Sequence, residues 1–338
     1  MSEAQKMKIL VIRFSSFGDI LAVLSVFAAL HEKFPLAELH WLTRKDFEEI
    51  ANAGKNVDRV WAVDKKQGFA GLQKIITQLR QEKFTHVYDA HNNLRSHWVS
   101  WRLRGPLKFL RRSQYRWRRF LLFRFHINKY PKPFVHQWAL LEPLARWGVP
   151  LTLPPPPLLQ IPQKIQQECQ QRLSGLRNSV VVALSPSASY ELKRWPVSHW
   201  QELVRQNPQW NFVALGGPDD QFIEQITAVA PERCLNMAGK LSYLQSAGMV
   251  WAADLLVSND TGLMHVAEQL GKPCVALLGP APFGHPGRST TLIKERELEC
   301  RPCSKHGQGP CVNSVYQKCL ADISAGEVAS GIQKLAVR

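Results

Sequence analysis

Lys8-Ile-Leu-Val-Ile-Arg-Phe-Ser-Ser-Phe-Gly-Asp-Ile-Leu21 decides the fold. Ile9 to Ile12 make a short continuous apolar run, the pattern of a strand buried on both faces of a parallel sheet. The turn Phe14-Ser-Ser-Phe-Gly-Asp19 follows, and an apolar helix starts at Ile20. Strand, turn and helix in that order open a βαβ unit, and open sheets of this kind keep their ligands at the carboxyl ends of the strands. Asp19 stands at that place. A loop built to cradle phosphate would carry several glycines or a lysine, because anions need converging N–H groups and positive charge. This turn has one glycine and an acid, so it offers a base rather than a cradle.

The alternation continues from there. Strands are expected near 8–13, 38–43, 58–63 and 85–90, with helices near 20–33, 69–82 and 136–146. Leu151-Thr-Leu-Pro-Pro-Pro-Pro-Leu-Leu-Gln-Ile-Pro162 interrupts it: five prolines preclude a helix and remove ladder donors, so 151–162 reads as an extended linker. Strands resume at 180–186, 211–217, 234–239, 254–258 and 273–279, with helices near 197–206, 219–229, 241–252 and 261–270. At 338 residues, 45% of them apolar, the chain is long enough for two cores. The expectation is an α/β protein of two Rossmann-like doubly wound domains facing across a cleft, 1–150 and 163–322. A closing amphipathic helix within 323–338 is long enough to lie back over the domain junction.

The net charge of +16 is unevenly placed: residues 1–150 hold 26 Lys/Arg against 12 Asp/Glu. No acid occurs between Asp89 and Glu142, where Arg95, Arg102, Arg111, Arg112, Arg116, Arg118, Arg119 and Arg124 alternate with Trp98, Trp101, Phe109, Trp117, Phe120 and Phe125. Such a segment suits nucleic acid, an anionic membrane surface or a polyphosphorylated acceptor, or else is a solvated basic face over a small aromatic core. No recognisable DNA or RNA motif accompanies it, which leaves a nucleic-acid-binding protein as a distant alternative. The apolar run from Ile9 is broken by Arg13, Gly18 and Asp19, unlike a secretory signal, and its helix core is too short for a bilayer. An odd number of cysteines, seven, agrees with a reducing compartment, so a cytoplasmic protein is expected.

Three loops of the second half carry chemistry. Ser185-Pro-Ser-Ala-Ser-Tyr-Glu-Leu-Lys-Arg-Trp-Pro196 sets hydroxyls at Ser187 and Ser189 beside the cations Lys193 and Arg194, a set that suits phosphate oxygens or simply precedes a helix. Ser258-Asn-Asp-Thr-Gly-Leu-Met-His265 turns from a strand through Asp260, Thr261 and Gly262 into a helix whose free N–H groups can hold a diphosphate; His265 shares the face of Thr261 one turn on. Asp260 is equally a good helix cap. Gly216-Gly-Pro-Asp-Asp220 ends a strand with Asp219 and Asp220, acids placed either for ribose hydroxyls or for the turn itself. The chain has no Gly-x-Gly-x-x-Gly after a strand, no Walker loop and no Asp-x-Asp pair. Dinucleotide redox chemistry, P-loop hydrolysis and a metal on paired aspartates therefore lack their signatures, and a diphosphate leaving group would meet Lys193, Arg194 and helix-start N–H groups instead.

Cys300, Cys303, Cys311 and Cys319 fall within 20 residues among prolines and glycines. Four thiols at that range admit a structural zinc or iron, reduced thiols or a disulfide pair.

Three motifs in order, Ile9 to Leu21, Lys193-Arg-Trp-Pro196 and Ser258 to His265, resemble glycosyltransferase family 9, the ADP-heptose:lipopolysaccharide heptosyltransferases, over nearly the whole chain. The resemblance implies a GT-B fold, donor binding in the C-terminal domain, a lipid-linked core acceptor in the N-terminal domain, and no catalytic cofactor. It implies inverting heptose transfer to a Kdo or heptose of the inner core, with Asp19 as base, Lys193 on the donor, and Asp260, Thr261, Gly262 and His265 around its diphosphate. Lys240 and Leu241 fall where the family contacts adenine through main chain. Ser15, Ser16 and Gly18 flank the base; Asn93 and Arg95 after the fourth strand, with the basic segment, suit acceptor carboxylates and phosphates. His136 aligns with a histidine common in the family and is equally explained as structural. Such enzymes work at the cytoplasmic face of the inner membrane. Ser187-Ala188-Ser189 departs from the threonines of some members, and the family's ribose-binding glutamate has no exact counterpart, with Asp219, Asp220 and Gln221 available. A branch that binds iron and glycosylates proteins keeps another nucleotide sugar or a protein acceptor open.

Overall fold

The computed structural model describes residues 7–103 and 108–336, which group into two units, one of 7–103 and 108–115 with 137–160 and one of 116–136 with 161–336. In the first, β1 (Lys8–Ile12) is the middle strand of a five-stranded parallel sheet, and Ile9 to Ile12 are wholly buried. α1 (Phe17–Lys33) follows, then β2 (Glu38–Arg44), α2 (Glu48–Asn52), β3 (Arg59–Val63), α3 (Gly68–Gln81), β4 (His86–Asp89), α4 (Leu94–Arg102) and β5 (Lys108–Arg111). The order β3-β2-β1-β4-β5 reverses direction beside β1, so the carboxyl ends of β1 and β4 form the switch point where such sheets bind ligands. Register sets Ile12 against Asp89 there.

α5 (Arg116–Phe125) and α6 (His136–Leu141) come next, then α7 (Gln163–Arg172). The second unit's sheet has six parallel strands in the order β11-β10-β9-β6-β7-β8: β6 (Val180–Ser185), β7 (Trp210–Ala214), β8 (Cys234–Asn236), β9 (Leu255–Asn259), β10 (Cys274–Leu277) and β11 (Thr291–Lys294). Between them run α8 (Val197–Gln206), α9 (Ile223–Thr227), α10 (Tyr243–Ala252) and α11 (Gly262–Leu270), and α12 (Lys318–Ala321) precedes α13 (Ala325–Ala336). Here the reversal lies between β6 and β9, with Ser185 opposite Ser258. Trp195 and Trp200, edge to face at 5.0 Å, fill the core below α8, joined by Val328, Ile332 and Leu335 of α13. The described part of the closing helix thus packs on its own unit's sheet; Val337 and Arg338 lie outside the described residues.

Several elements exceed expectation. β5, α4 and α5 lie in the arginine-rich segment, α7 is half glutamine, and β11 is only four residues long, so periodicity marked none of them. The helix expected over 136–146 stops at Leu141 and continues as a 3₁₀ turn through Trp147, where Pro143 removes a donor. The proline segment is extended and pinned: Lys55 N–H donates to the Leu158 carbonyl at 2.9 Å and Gln160 N–H to that of Ala53 at 2.8 Å, with Leu158 and Leu159 buried. Among the described residues no helix is long and apolar enough to cross a membrane.

Candidate functional site

The first unit's switch point is built around Arg13. Arg13 is 5% exposed, and its guanidinium donates to the Ala90 carbonyl at 2.6 Å and stands 2.5 Å from Asp19 Oδ2. Asp19 is the third residue of α1, and the same oxygen accepts from the N–H and hydroxyl of Ser16 at 3.0 and 2.9 Å. The carboxylate the sequence marks as a base is therefore also the helix's capping residue, and its orientation is fixed from three sides. Ser15 is half-buried beside it, Ser16 is exposed, and Gly18 lies in the first helical turn.

β4 completes this end. Asp89, fully buried, accepts from the backbone N–H of His91 and Asn92, from Ser96 Oγ at 2.9 Å and from Arg111 Nε at 3.1 Å, which ties the loop down. Asn93 caps α4 by accepting from Ser96 N–H at 2.9 Å. Arg95 is exposed and shares a pocket with Phe14, Arg44, Asp64, Lys65 and Phe69, where Arg44 and Lys65 also pair with Asp46, so the concave surface next to the first loop carries an excess of one or two cations. His91, edge to face with Phe14 at 5.4 Å, is pushed down to about 4 by burial and then by the Arg13 charge. Burial, again with Arg13, also lowers Arg112. His136 begins α6 and is buried.

At the second unit's switch point, three loops converge. Lys193 Nζ lies 2.8 Å from Asp260 Oδ2, although 67 positions separate them in the chain. Thr261 Oγ1 stands 3.2 Å from Ser185 Oγ and 3.3 Å from Ser258 Oγ, and Thr261 and Gly262 open α11. Asn259 braces the turn by accepting from Trp195 N–H at 3.1 Å and donating to the Pro186 carbonyl at 2.8 Å. His265, one turn along α11, has Nδ1 2.8 Å from Glu268 Oε2, and Glu268, fully buried, also accepts from Gly287 N–H at 2.7 Å.

The two neighbouring acids have different surroundings. Asp220 is buried and engaged within the loop: it accepts from Ser187 Oγ at 2.6 Å and from Gly217 N–H at 2.8 Å, and Arg194 stands 3.6 Å away. Asp219 is exposed, as is Ser189. Arg194 also donates to the Ala188 carbonyl and lies over the Phe222 ring at 5.0 Å. Lys240 is exposed, its Nζ donating to the Asn236 carbonyl, and Leu241 is half-buried just before α10.

Four residues that sequence reading missed shape these sites: His91, Glu268, Gly284 and Gly307. A Cβ on Gly284 would come within 2.0 Å of Asp260 Oδ1, and one on Gly307 within 2.6 Å of Lys193 Cγ. Gly307 has φ +84°, a left-handed conformation that suits glycine. Both glycines let backbone approach the Lys193 and Asp260 pair, an invisible relation in sequence because the loops are distant.

Gly307 belongs to the cysteine segment, which folds over the turn before Lys193: Gln317 donates to the Glu191 carbonyl at 2.6 Å, Tyr316 OH to Glu191 Oε1 at 2.7 Å, and Gln308 to Tyr190 OH at 2.8 Å. Cys300, Cys303, Cys311 and Cys319 line one small pocket. Burial raises Cys303 and pushes Cys319 up to about 11. Among the described residues Glu38, His40 and Glu82 bring three ligand atoms within 4.8 Å of one another, a spacing the four sulfurs do not share. The Glu38 set holds Lys8 as its cation, 2.7 Å from Glu82, and Trp61 donates to His40 Nδ1 at 3.1 Å.

Residues 72–313 match the model for glycosyltransferase family 9 (heptosyltransferase). Lipopolysaccharide heptosyltransferase 2 of Escherichia coli (strain K12) is 26% identical over 312 residues, covering 85% of this chain and 88% of that one. The crystal structure of the glycosyl transferase family 9 protein from Veillonella parvula DSM 2008 aligns over 99% of this chain and 98% of that one with a TM-score of 0.80 at 20% identity. The structure of E. coli ADP-heptose lps heptosyltransferase II aligns over 98% and 99% with a TM-score of 0.77 at 22% identity, a likeness of GT-B fold. With the three motifs at two switch points and a family model spanning most of its length, the chain belongs to glycosyltransferase family 9 and is a glycosyltransferase.

Proposed function

We propose that the protein is an inverting heptosyltransferase that moves a heptose from ADP-heptose to a Kdo or heptose residue of the lipopolysaccharide inner core, at the cytoplasmic face of the inner membrane. The observation that carries this reading is the meeting of Lys193 with Asp260, Thr261 and the start of α11 at one switch point. A nine-residue helix with open N–H groups, a lysine and a nearby arginine suit the two phosphates of a nucleotide-sugar donor. In this reading Asp219 would meet the ribose, and the main chain of Lys240 and Leu241 the adenine.

In the proposed step the acceptor hydroxyl oxygen attacks the anomeric carbon from the face opposite the diphosphate. The new C–O bond forms as the C–O bond to phosphate breaks, the electron pair leaves with ADP, and the configuration inverts. Asp19 takes the hydroxyl proton. Lys193, Arg194 and the N–H groups of α11 meet the charge that grows on the leaving diphosphate, the task that a metal performs in other transferases. The pocket of Arg44, Lys65 and Arg95 suits a carboxylated or phosphorylated acceptor.

The test is the pair Asp19→Asn and Lys193→Ala. Asp19→Asn should lower kcat by roughly a hundredfold or more, as loss of a general base does, while ADP affinity stays near wild type. Lys193→Ala should weaken ADP binding and turnover together. Near-normal turnover in Asp19→Asn would sink the base assignment. A saturation-transfer screen of nucleotide sugars in which ADP-heptose failed while another bound would replace the donor, and transfer to a protein alone would replace the acceptor.

A further inference from the structure

α5 turns unusual side chains to solvent. Trp117, Phe120 and Phe125 are 68%, 49% and 55% exposed, and Ile127 just beyond is 44% exposed. They form one patch: Trp117 stacks on Phe120 with centroids 5.6 Å apart, and Phe120 meets Phe125 edge to face at 5.6 Å. Arg116, Arg118 and Arg124 are exposed on the same ten-residue helix with Arg119 half-buried, and the nearest acids in sequence are Asp89 and Glu142. The helix is anchored on its other side. Leu122 is buried, and Phe123 packs against Phe283, which also meets Tyr130 and Phe134 edge to face within the second unit.

Contiguous exposed aromatics cost solubility and call for a partner. A protein interface would not need every charge to be positive, and a nucleic-acid groove would spread its aromatics so that bases could stack between them. Here they stack on one another, fringed by arginines. Aromatic rings at the depth of lipid headgroups, with guanidinium groups beside lipid phosphates, meet both demands. We propose that α5 docks the enzyme on a bilayer surface rich in anionic phospholipid, with Trp117, Phe120 and Phe125 inserted at headgroup level and the arginines on the phosphates. The inference does not depend on the donor or the reaction, since it concerns a surface and not the switch-point loops.

The experiment is co-sedimentation of the full chain with vesicles of phosphatidylcholine alone and of phosphatidylcholine with about one third phosphatidylglycerol. Wild-type protein should bind the anionic vesicles, release them as salt rises, and leave the neutral ones in solution. Replacing Trp117, Phe120 and Phe125 together by Ala should weaken binding roughly tenfold or more, and each Arg→Gln should cost about fivefold. Thermal unfolding and ADP binding of the same variants should stay at wild-type values, which keeps a failed fold or a failed donor assignment apart from a failed docking surface. Equal binding to both vesicles, or an aromatic variant that binds like wild type, would overturn the proposal. So would dimerisation that the aromatic variant abolishes, which assigns the face to a second copy, or a duplex shift that outcompetes the vesicles.

Discussion

His91 holds a free-energy reserve that acid should release. Its ring is pushed down to about 4, first by burial and then by Arg13, and Nδ1 is buried without a hydrogen-bond partner. In the unfolded chain the ring titrates near 6.5. Between those values the unfolded state binds more protons than the folded one, so this contribution is fully present above about pH 6.5 and is lost as pH falls toward 4. The loss amounts to at most about 3 kcal/mol. Denaturant midpoints at about pH 7.5 and about pH 4.5 should show a smaller acid-induced drop in His91→Gln than in wild type. Equal drops would mean that the ring is solvated. A second residue-scale expectation concerns Gly284. The Cβ of Gly284→Ala would overlap Asp260 Oδ1 and must displace it. ADP binding by calorimetry should weaken at least several-fold, and unchanged affinity would show that Asp260 does not position the donor. Asp19, Lys193 and Asp260 can be picked out as candidates because each lies in a local motif in the loop that follows a strand. Gly284, Gly307 and Glu268 cannot, because each acts on a residue that only the fold brings near.

At the scale of elements, α10 and α7 test how tightly the second unit is packed. A Cβ on Gly248 of α10 would lie 2.7 Å from Ile165 Cγ2 and 2.8 Å from Cys169 Sγ, both on α7. Two effects oppose each other in Gly248→Ala. Alanine gains about 1 kcal/mol of helix propensity, while overpacking costs about 1–3 kcal/mol. The contacts fall on the β-branched Cγ2 of Ile165 and the buried Sγ of Cys169, short side chains with little freedom to turn aside, so overpacking should win and the urea midpoint should fall. A midpoint at or above wild type would show that α7 yields. The same pair shows where sequence reading stops. α10 was legible from its apolar face, whereas α7, Gln163-Lys-Ile-Gln-Gln-Glu-Cys-Gln-Gln-Arg172, shows almost no apolar stripe because it buries little beyond Cys169. β5 and α5 were hidden in the same way under arginines, although β5 pairs in full register with β4.

At the scale of the molecule, the alternation of apolar runs and helices predicts two parallel sheets, and both occur. The strand orders β3-β2-β1-β4-β5 and β11-β10-β9-β6-β7-β8 are not written in that alternation, since a crossover can add the next strand on either side of the last. Membership is less legible: residues 116–136 precede the proline segment yet group with the second unit, through the rings of Phe123, Tyr130 and Phe134 around Phe283. No local pattern announces a contact across more than 140 positions. The division of labour between the two switch points can be tested on the intact chain by hydrogen exchange with ADP alone. ADP at about 100 times its Kd should add about 2.7 kcal/mol of stability if it binds only the folded state. Direct protection should concentrate in 185–194, 216–222 and 258–265, where hydroxyls, cations and the α11 N–H groups converge. The loops 13–19 and 89–95 should exchange as before, because their fixed carboxylate and cationic pocket are assigned to the acceptor. Protection that appeared first at 13–19 would place the nucleotide on β1, and Asp19 would then be a ribose or phosphate neighbour instead of the acceptor's base.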